Sequence, residues 1–337
     1  MNRMKSVIRF VLIVAATALT SMPKASAEDV LKVAGAQHGV WESAAPELGQ
    51  QAGIFKKHGV MLELSYHEDV KEIISDVRSG KADIGLAVGT MSAIQAYYLG
   101  APIRIIGATM AGSPNYWYVL KSSPIKTVKD FAGKTIAYER NGSSSQYDTI
   151  DFTRKLRPKV KLVATGTPAA TFERVTANEV DVGWAAPPFG VDKIEQGTIR
   201  VVARADEMPR IRDKTVGVII TNANTLQKRK DSLVRFMQAY GETIDWMYSD
   251  PVALQRFSEI SDVSEGVAQR MRDEFFPKEM LLPDKIVGLN EILKDAVVLD
   301  YIRKRLSRKQ ISELIQIATP ESSGPWSILR RLRDRLR

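Results

Sequence analysis

Short strand-like segments alternate with amphipathic helical segments along most of this 337-residue chain. Apolar runs at 31–36, 61–66 and 83–88 are each followed by a segment whose apolar residues recur at helical spacing. A helix after each strand carries the chain back over the sheet, so the strands run mostly parallel and both faces are covered. The alternation therefore predicts an α/β fold.

Two series of these segments follow one another, and the chain is longer than one hydrophobic core usually holds. We expect two lobes, each a mostly parallel sheet flanked by helices. The first lobe would comprise 28–114 and 215–320, and the second 115–214. Two strands would cross between the lobes, and such crossings form a natural hinge.

The start of the chain has the pattern of a secretion signal. Arg3, Lys5 and Arg9 introduce an apolar run at 10–19, which is too short to span a bilayer, and small residues precede the expected cleavage after Ala27. We therefore expect 1–27 to be a signal peptide. The chain has no cysteine, which excludes disulfides, thiolate metal sites and a lipidated cysteine. An exported protein without a lipid anchor is expected in the periplasm.

The positive charge is concentrated at the two ends of the chain. The formal net charge is +9, and four of the positive residues lie in the leader, while 328–337 contains five arginines. The body is nearly neutral, so no nucleic acid partner is expected. The tail at 321–337 is either a short basic amphipathic helix that contacts a membrane or an acidic partner, or a solvated end.

The stretch 133–148 contains a strand, a turn rich in glycine and serine, and the start of a helix. The first amide groups of a helix have no partner within it, and its dipole favours an anion there. Ser143 and Ser144 therefore either bind an anion or only cap the helix. Arg140 either assists the anion or pairs with Glu139 or Asp148.

Ligands of open α/β sheets bind at the carboxyl ends of the strands. Trp41, Tyr116 and Trp184 would supply apolar walls, although both tryptophans are equally compatible with core packing. Asp69, if it faces the cleft, would favour a ligand with an amine or a ring N–H group. The candidate ligand-binding residues are His38, Trp41, Asp69, Gly89, Thr90, Ser113, Tyr116, Arg140, Asn141, Gly142, Ser143, Ser144, Thr167, Trp184 and Pro187.

The sequence offers little for catalysis or metal binding. It has only three histidines, and His67 with Asp69 would supply two metal ligands without a third. We expect a binding protein that is not an enzyme and that uses no cofactor and no metal.

Four segments resemble the solute-binding proteins of the nitrate, sulfonate and taurine ABC importers, which share a fold with thiamine-precursor binding proteins. The resemblance covers about 30–318, and the segments that carry it are 46–60, 78–85, 128–143 and 178–189. It implies the two-lobed periplasmic binding fold, a monomer that captures a small solute between its lobes, and delivery to a membrane permease with its ATPase.

The ligand is the least constrained part of this resemblance. Family members often carry an aromatic and an acidic residue before the proline that corresponds to Pro188, where this chain has Ala185-Ala186-Pro187. We expect a small organic anion of the sulfonate or carboxylate class. The alternatives are a heterocycle similar to a pyrimidine or thiamine precursor, or an enzyme such as the related pyrimidine synthase, whose chemistry is associated with a cysteine-rich motif. A third alternative is a binding protein that serves a sensor, since sensing and transport use the same capture step.

Overall fold

The computed structural model describes residues 28–318 except 37, 68, 141 and 142, so the predicted signal peptide and basic tail lie outside the described residues. Within this part of the chain the strands agree closely with the apolar runs of the sequence. They are β1 (Asp29–Ala36), β2 (Val60–His67), β3 (Ile84–Gly89), β4 (Ile103–Ala111), β5 (Tyr116–Leu120), β6 (Thr135–Tyr138), β7 (Lys161–Ala164), β8 (Gly183–Ala185), β9 (Ile199–Arg204) and β10 (Thr215–Asn222).

Helices follow most of the strands and make up nearly all of the C-terminal third. Within the described residues, no helix is both long enough and apolar enough to cross a membrane. The helices are α1 (Ala45–Gln51), α2 (Ile54–Lys57), α3 (Val70–Ser79), α4 (Thr90–Tyr98), α5 (Ser144–Thr153), α6 (Pro168–Thr176), α7 (Val191–Glu195), α8 (Pro209–Arg212), α9 (Ala223–Lys228), α10 (Lys230–Ser249), α11 (Pro251–Ser261), α12 (Glu265–Phe275), α13 (Leu289–Val298) and α14 (Arg308–Leu314), with 3₁₀ turns at Trp41–Ser43, Val128–Phe131 and Lys278–Met280.

The first sheet has five strands in the order β2-β1-β3-β10-β4. β1 pairs in parallel with β2 and β3, whereas β10 is antiparallel to both of its neighbours. One face packs against α3, α4 and α13 through residues such as Ile73, Ile94 and Ile292, which are almost fully buried. The other face packs against the long C-terminal helices through Phe236 and Tyr240. Both faces are therefore covered, as the apolar character of these strands predicts.

The second sheet repeats this arrangement. β8-β5-β9 and β6-β7 are paired separately, and backbone hydrogen bonds between Val182 and β6 join them into one layer. The resulting order is β7-β6-β8-β5-β9, with β5 antiparallel to β8 and β9. Each sheet thus contains one antiparallel strand, and each of these strands is the first that the chain forms after it crosses from the other sheet.

The two crossings run side by side. The chain leaves the first sheet after β4 and returns to it before β10, and the amide of Gly112 donates to the Lys214 carbonyl over 2.8 Å. A second bond joins the Ala205 amide to the Asn115 carbonyl at 3.0 Å. The α/β prediction with two mostly parallel sheets is confirmed, while the predicted domain limits stay a prediction.

One helix differs from its prediction. The apolar spacing over 41–57 predicts a continuous helix, but the structure divides it into a 3₁₀ turn, α1 and α2. Gly53 has a φ of +76°, a left-handed conformation that separates the end of α1 from the start of α2. The prediction of a single helix was wrong because apolar spacing does not report where a glycine turns the backbone.

Candidate functional site

A cavity of about 340 Å³ lies between α5, on the second sheet, and α13, on the first. Its volume is within the range of small-molecule sites in proteins. Both crossing segments lie beside it, so a molecule in this cavity would contact both lobes. The lining residues are Gly89, Thr90, Met91, Ser92, Ser144, Tyr147, Asp148, Ile150, Asp151, Arg154, Arg210, Ile211, Lys214, Thr215, Val216, Ile292, Asp295, Val298, Leu299 and Tyr301.

The cavity wall on the second lobe is one face of α5. Ser143 is the N-cap of this helix, and its hydroxyl accepts a hydrogen bond from the Gln146 amide at 3.3 Å. Phe152 holds the helix to the second sheet by packing edge to face on Trp117, with ring centroids 4.7 Å apart. The helical repeat then brings residues spaced four and three apart, 144, 148 and 151, to the cavity.

Asp148 is the buried carboxyl group of the cavity. Its side chain is 6% exposed, and its Oδ2 accepts hydrogen bonds of 2.9 Å from the Ser113 hydroxyl and from the Asn115 side-chain amide. Burial raises the pKa of the Asp148 carboxyl from 3.8 to about 6, although the bonds from Asn115 and Ser113 oppose this rise. Both donors belong to the first crossing segment, so Asp148 connects α5 to that segment.

Ion pairs connect the two sides of the cavity. Arg210 of α8 lies 3.3 Å from Asp151 of α5 and 3.5 Å from Asp295 of α13. Lys214 also pairs with Asp295, and Arg154 lies 3.7 Å from Asp151. Arg210 therefore bridges a carboxylate on each lobe from the second crossing segment.

The mouth of the cavity combines a polar contact between the lobes with apolar side chains. The hydroxyl of Tyr147 donates to that of Tyr301 at 2.9 Å, which joins α5 to the segment after α13. Ile150 of α5 and Val298 of α13 are exposed apolar residues, and both line the cavity. The mouth thus offers an apolar surface beside the charged groups.

The serine turn before α5 is mostly satisfied by its own groups. The Ser143 and Ser145 hydroxyls lie 2.9 Å apart, and Ser145 also accepts from the Glu139 amide at 2.9 Å. Arg140 is exposed, and its Nε lies 3.3 Å from a Glu139 carboxylate oxygen. Only Ser144 reaches the cavity, where its hydroxyl accepts from the Asn115 side-chain amide at 3.1 Å. The predicted residues Asn141 and Gly142 lie outside the described residues.

The three aromatic residues predicted as cleft walls are buried in the hydrophobic core. Trp41 is fully buried, and its indole N–H donates to the Tyr248 hydroxyl over 3.0 Å. The Tyr116 hydroxyl donates to a backbone carbonyl, that of Phe189. Trp184 is 4% exposed and donates to the Thr165 hydroxyl at 3.2 Å. None of the three lines the cavity.

Two predicted residues cap helices. Asp69, which is exposed, caps α3 by accepting from the Lys71 amide at 2.9 Å. Thr167 caps α6 in the same way through the Ala170 amide. Neither residue lines the cavity.

The remaining predicted residues are divided between the cavity and other places. Gly89 and Thr90 line the cavity, and the buried Thr90 hydroxyl donates to the Thr215 carbonyl over 2.8 Å. His38, at the end of β1, has its Nε2 3.0 Å from a Glu47 carboxylate oxygen. Pro187 is buried after β8. The cavity thus includes Gly89, Thr90 and Ser144 directly, and Ser113 through Asp148.

Sequence reasoning did not identify the charged residues of the cavity as site residues. For Asp148 and Asp151 a signal was present, because they follow Ser144 at helical spacing and therefore share its face. Arg210, Lys214 and Asp295 reach the cavity only through the way the second crossing segment and α13 pack together. No local pattern in the sequence reports that contact.

Comparisons with known proteins agree with this architecture. The family model described as NMT1/THI5 like matches residues 44–254. The search of curated proteins found no match to the sequence.

Solved structures match over most of the chain. The periplasmic aliphatic sulphonate binding protein SsuA from Escherichia coli superposes with a TM-score of 0.71 at 15% identity, covering 88% of this chain and 95% of its own. The periplasmic nitrate-binding protein NrtA from Synechocystis has a TM-score of 0.63 at 12% identity, covering 91% and 89%. The desulfurization enzyme DSZB has a TM-score of 0.64 at 14% identity, covering 92% and 100%. At these identities the similarity shows the fold, which is that of the periplasmic binding proteins.

Proposed function

This chain belongs to the NMT1/THI5-like family, and we propose that it is the solute-binding component of an ABC importer. The cavity between α5 and α13 carries this proposal, because its walls come from both lobes. Structural neighbours that bind sulphonates and nitrate in the periplasm support a binding role. The predicted leader at 1–27 supports export to the same compartment.

The position of the cavity suggests how capture is reported to the transporter. A ligand that contacts both lobes favours the arrangement in which the lobes are closed, and it shifts the population toward that state. The two adjacent crossing segments, joined by the bond from Gly112 to Lys214, are the natural hinge for this change. The closed form would be recognised by a permease in the inner membrane, which works with its ATPase.

The proposed solute is a small organic anion of the sulfonate or carboxylate class. Arg154 and Arg210 both line the cavity with half-exposed side chains, and each offers a guanidinium group that binds a planar or tetrahedral anion. The first turn of α5, at Ser144, adds the favourable end of a helix dipole. Arg140 would contribute only after leaving Glu139.

Binding is favoured over catalysis by what lines the cavity. The described lining residues include no histidine and no cysteine, the side chains most often used for proton transfer and nucleophilic attack. The three histidines lie elsewhere, each near a carboxylate, with His58 2.8 Å from Glu242. The enzymatic neighbour shares the fold, and fold alone does not carry its chemistry.

A thermal-shift screen of the purified protein tests this function. The panel comprises sulfonates, aliphatic and aromatic carboxylates, nitrate and pyrimidines. A true ligand at 100 times its dissociation constant should stabilise the protein by about 2.7 kcal/mol. Cells that lack the protein should then fail to take up the same compound. Conversion of the compound to a product by the purified protein would contradict a purely binding role, and the absence of any stabilising compound would count against the proposal itself.

A further inference from the structure

Of the three carboxyl groups that line the cavity, one has no cationic partner among the described residues. Asp151 and Asp295 each lie within 4.0 Å of two cationic side chains, as described above. Asp148 is the most buried of the three and has none, since both of its bonded partners, Ser113 and Asn115, are neutral. Its negative charge is therefore not compensated by a direct contact.

The hydrogen bonds of Asp148 are also one-sided. Both donors bind Oδ2, and no described residue donates to Oδ1. Because a carboxylate oxygen accepts about two hydrogen bonds, this leaves an acceptor at the cavity wall that is fixed in place by the bonds to its neighbour. Ordering of this kind is what a recognition group requires.

The protonation state of Asp148 agrees with a role in recognition. With a pKa raised by burial to about 6, the carboxyl group is mostly ionised at neutral pH and yet poorly solvated. A buried, unpaired charge is costly, and a cation that enters the cavity would offset that cost. The charged groups that influence it are Asp151, which raises its pKa, and Lys214, which lowers it.

Resting on the proposed binding function, we propose that Asp148 selects a solute that carries a protonated amine beside its acidic group. The amine would donate to Oδ1 of Asp148. The acidic group would meet Arg154 and Arg210, and an apolar segment of the solute would contact Ile150 and Val298 at the mouth. The ligand class is thus a zwitterion whose amine and acidic group are joined by an apolar body.

Matched pairs of compounds test this assignment. Each pair consists of an ω-amino acid or aminosulfonate and the same acid with a methyl group in place of the ammonium group, for example 4-(aminomethyl)benzoate and 4-ethylbenzoate. Calorimetry with the purified protein should show that the amine-bearing member binds about 10- to 100-fold more tightly, as expected for a charge-assisted hydrogen bond. In Asp148→Asn this preference should fall to about twofold or less.

Asp151→Asn is the matched control, because it removes the same charge from the same helix at a carboxylate that is already ion-paired. It should change the affinity of both members of a pair by a similar factor and leave the preference in place. Equal or tighter binding of the methyl members overturns the proposal, as does a preference that persists in Asp148→Asn. If no pair binds but simple anions or pyrimidines do, the inference fails and the binding function stands; if nothing binds, the proposed function fails.

A pH series on the unchanged protein serves if Asp148→Asn does not fold. Lowering the pH from 7.5 to 5 should weaken binding of the amine-bearing member, because Asp148 becomes protonated. Binding of the methyl member should not weaken. The other carboxylates at the cavity, Asp151 and Asp295, are ion-paired to Arg154, Arg210 and Lys214. Repeating the series with Asp151→Asn separates their contribution, and a parallel response of both members would contradict the proposal.

Discussion

In the first turn of α5, Ser143 and Ser145 bond to each other, whereas one turn further along Asp148 has an oxygen that no described residue binds. All three side chains are nearly inaccessible to solvent, with exposures of 5%, 1% and 6%. The hydroxyl groups of the serines therefore form hydrogen bonds within the turn. The carboxyl group of Asp148 is also buried, but its Oδ1 accepts no hydrogen bond from a described residue. Burial alone does not separate a structural polar group from a functional one; the count of its hydrogen bonds does.

The difference has a simple origin in chain separation. Ser143, Ser145 and Glu139 are close neighbours in the sequence, so their groups meet as soon as the turn forms. Asp148 takes its partners from Ser113 and Asn115, more than thirty residues away, at the point where the chain crosses between lobes. Its environment is fixed only when α5 packs against the first crossing segment.

The largest predicted effect is on stability and follows from replacing Asp148 with asparagine. The pKa of this carboxyl is about 6 in the folded protein against 3.8 ordinarily, so the folded state binds the proton more tightly. Stability from this group is therefore present at low pH and is lost as the pH rises from about 4 to 6. Asp148→Asn, which cannot ionise and still accepts from Ser113, should raise the unfolding free energy at pH 7.5 by about 2 to 3 kcal/mol.

Urea unfolding of both proteins at pH 4 and pH 7.5 measures this effect, and the difference between them cancels the titration of every other group. The gain should be close to zero at pH 4, where Asp148 is already largely protonated. A variant that is less stable at pH 7.5 would show that the charge of Asp148 is compensated in the free protein. The contrast between the serines of the first turn of α5 and Asp148 would then be wrong.

The second prediction compares neighbouring serines. Ser145→Ala removes the acceptor of the Glu139 amide and a partner of Ser143, and should cost about 1 to 3 kcal/mol because buried groups lose their partners. Ser144→Ala lies at an exposed position and should change stability by less than about 0.5 kcal/mol. Thermal or urea unfolding of both variants under the same conditions measures the two changes in stability.

Ligand titration of the same pair separates the two roles. Ser144→Ala should lower the affinity for the ligand, because Ser144 lines the cavity. A loss of stability in Ser144→Ala equal to that in Ser145→Ala would remove the distinction between cap and cavity at this turn.

The fold was largely predictable from the sequence, because each strand is a compact apolar run and each helix has its own spacing. The strand at Thr135–Tyr138 and the helix after Ser143 were found this way, since both signals are local. The order of the strands within each sheet was not predicted, because it depends on which distant segments pair. The break at Gly53 was missed because many glycines occur where the helix continues.

The site was predictable only in part. Gly89, Thr90 and Ser144 were identified because they follow strands at the edge where ligands bind. Trp41 and Trp184 were candidates because large aromatic residues near strand ends serve equally as cleft walls or as core. The interaction of Arg210 with Asp151 and Asp295 joins three separate elements, and it depends on how α8 and α13 pack, which no sequence pattern states.

The smallest predicted effect concerns the hydroxyl pair of Tyr147 and Tyr301, which extends the comparison from α5 to the facing lobe. Tyr147→Phe removes one hydrogen bond between the lobes and keeps the aromatic contact, whose centroids are 5.9 Å apart. We expect ligand affinity to fall by about 0.5 to 1.5 kcal/mol, with little change in the melting temperature of the free protein, because the proposed function makes this bond part of the closed, ligand-bound arrangement of the lobes. Calorimetry and thermal unfolding measure both quantities. A lower melting temperature without ligand, at unchanged affinity, would mean that the tyrosine pair holds the lobes together permanently. Oδ1 of Asp148 would then belong to a rigid wall and not to one that closes on a solute.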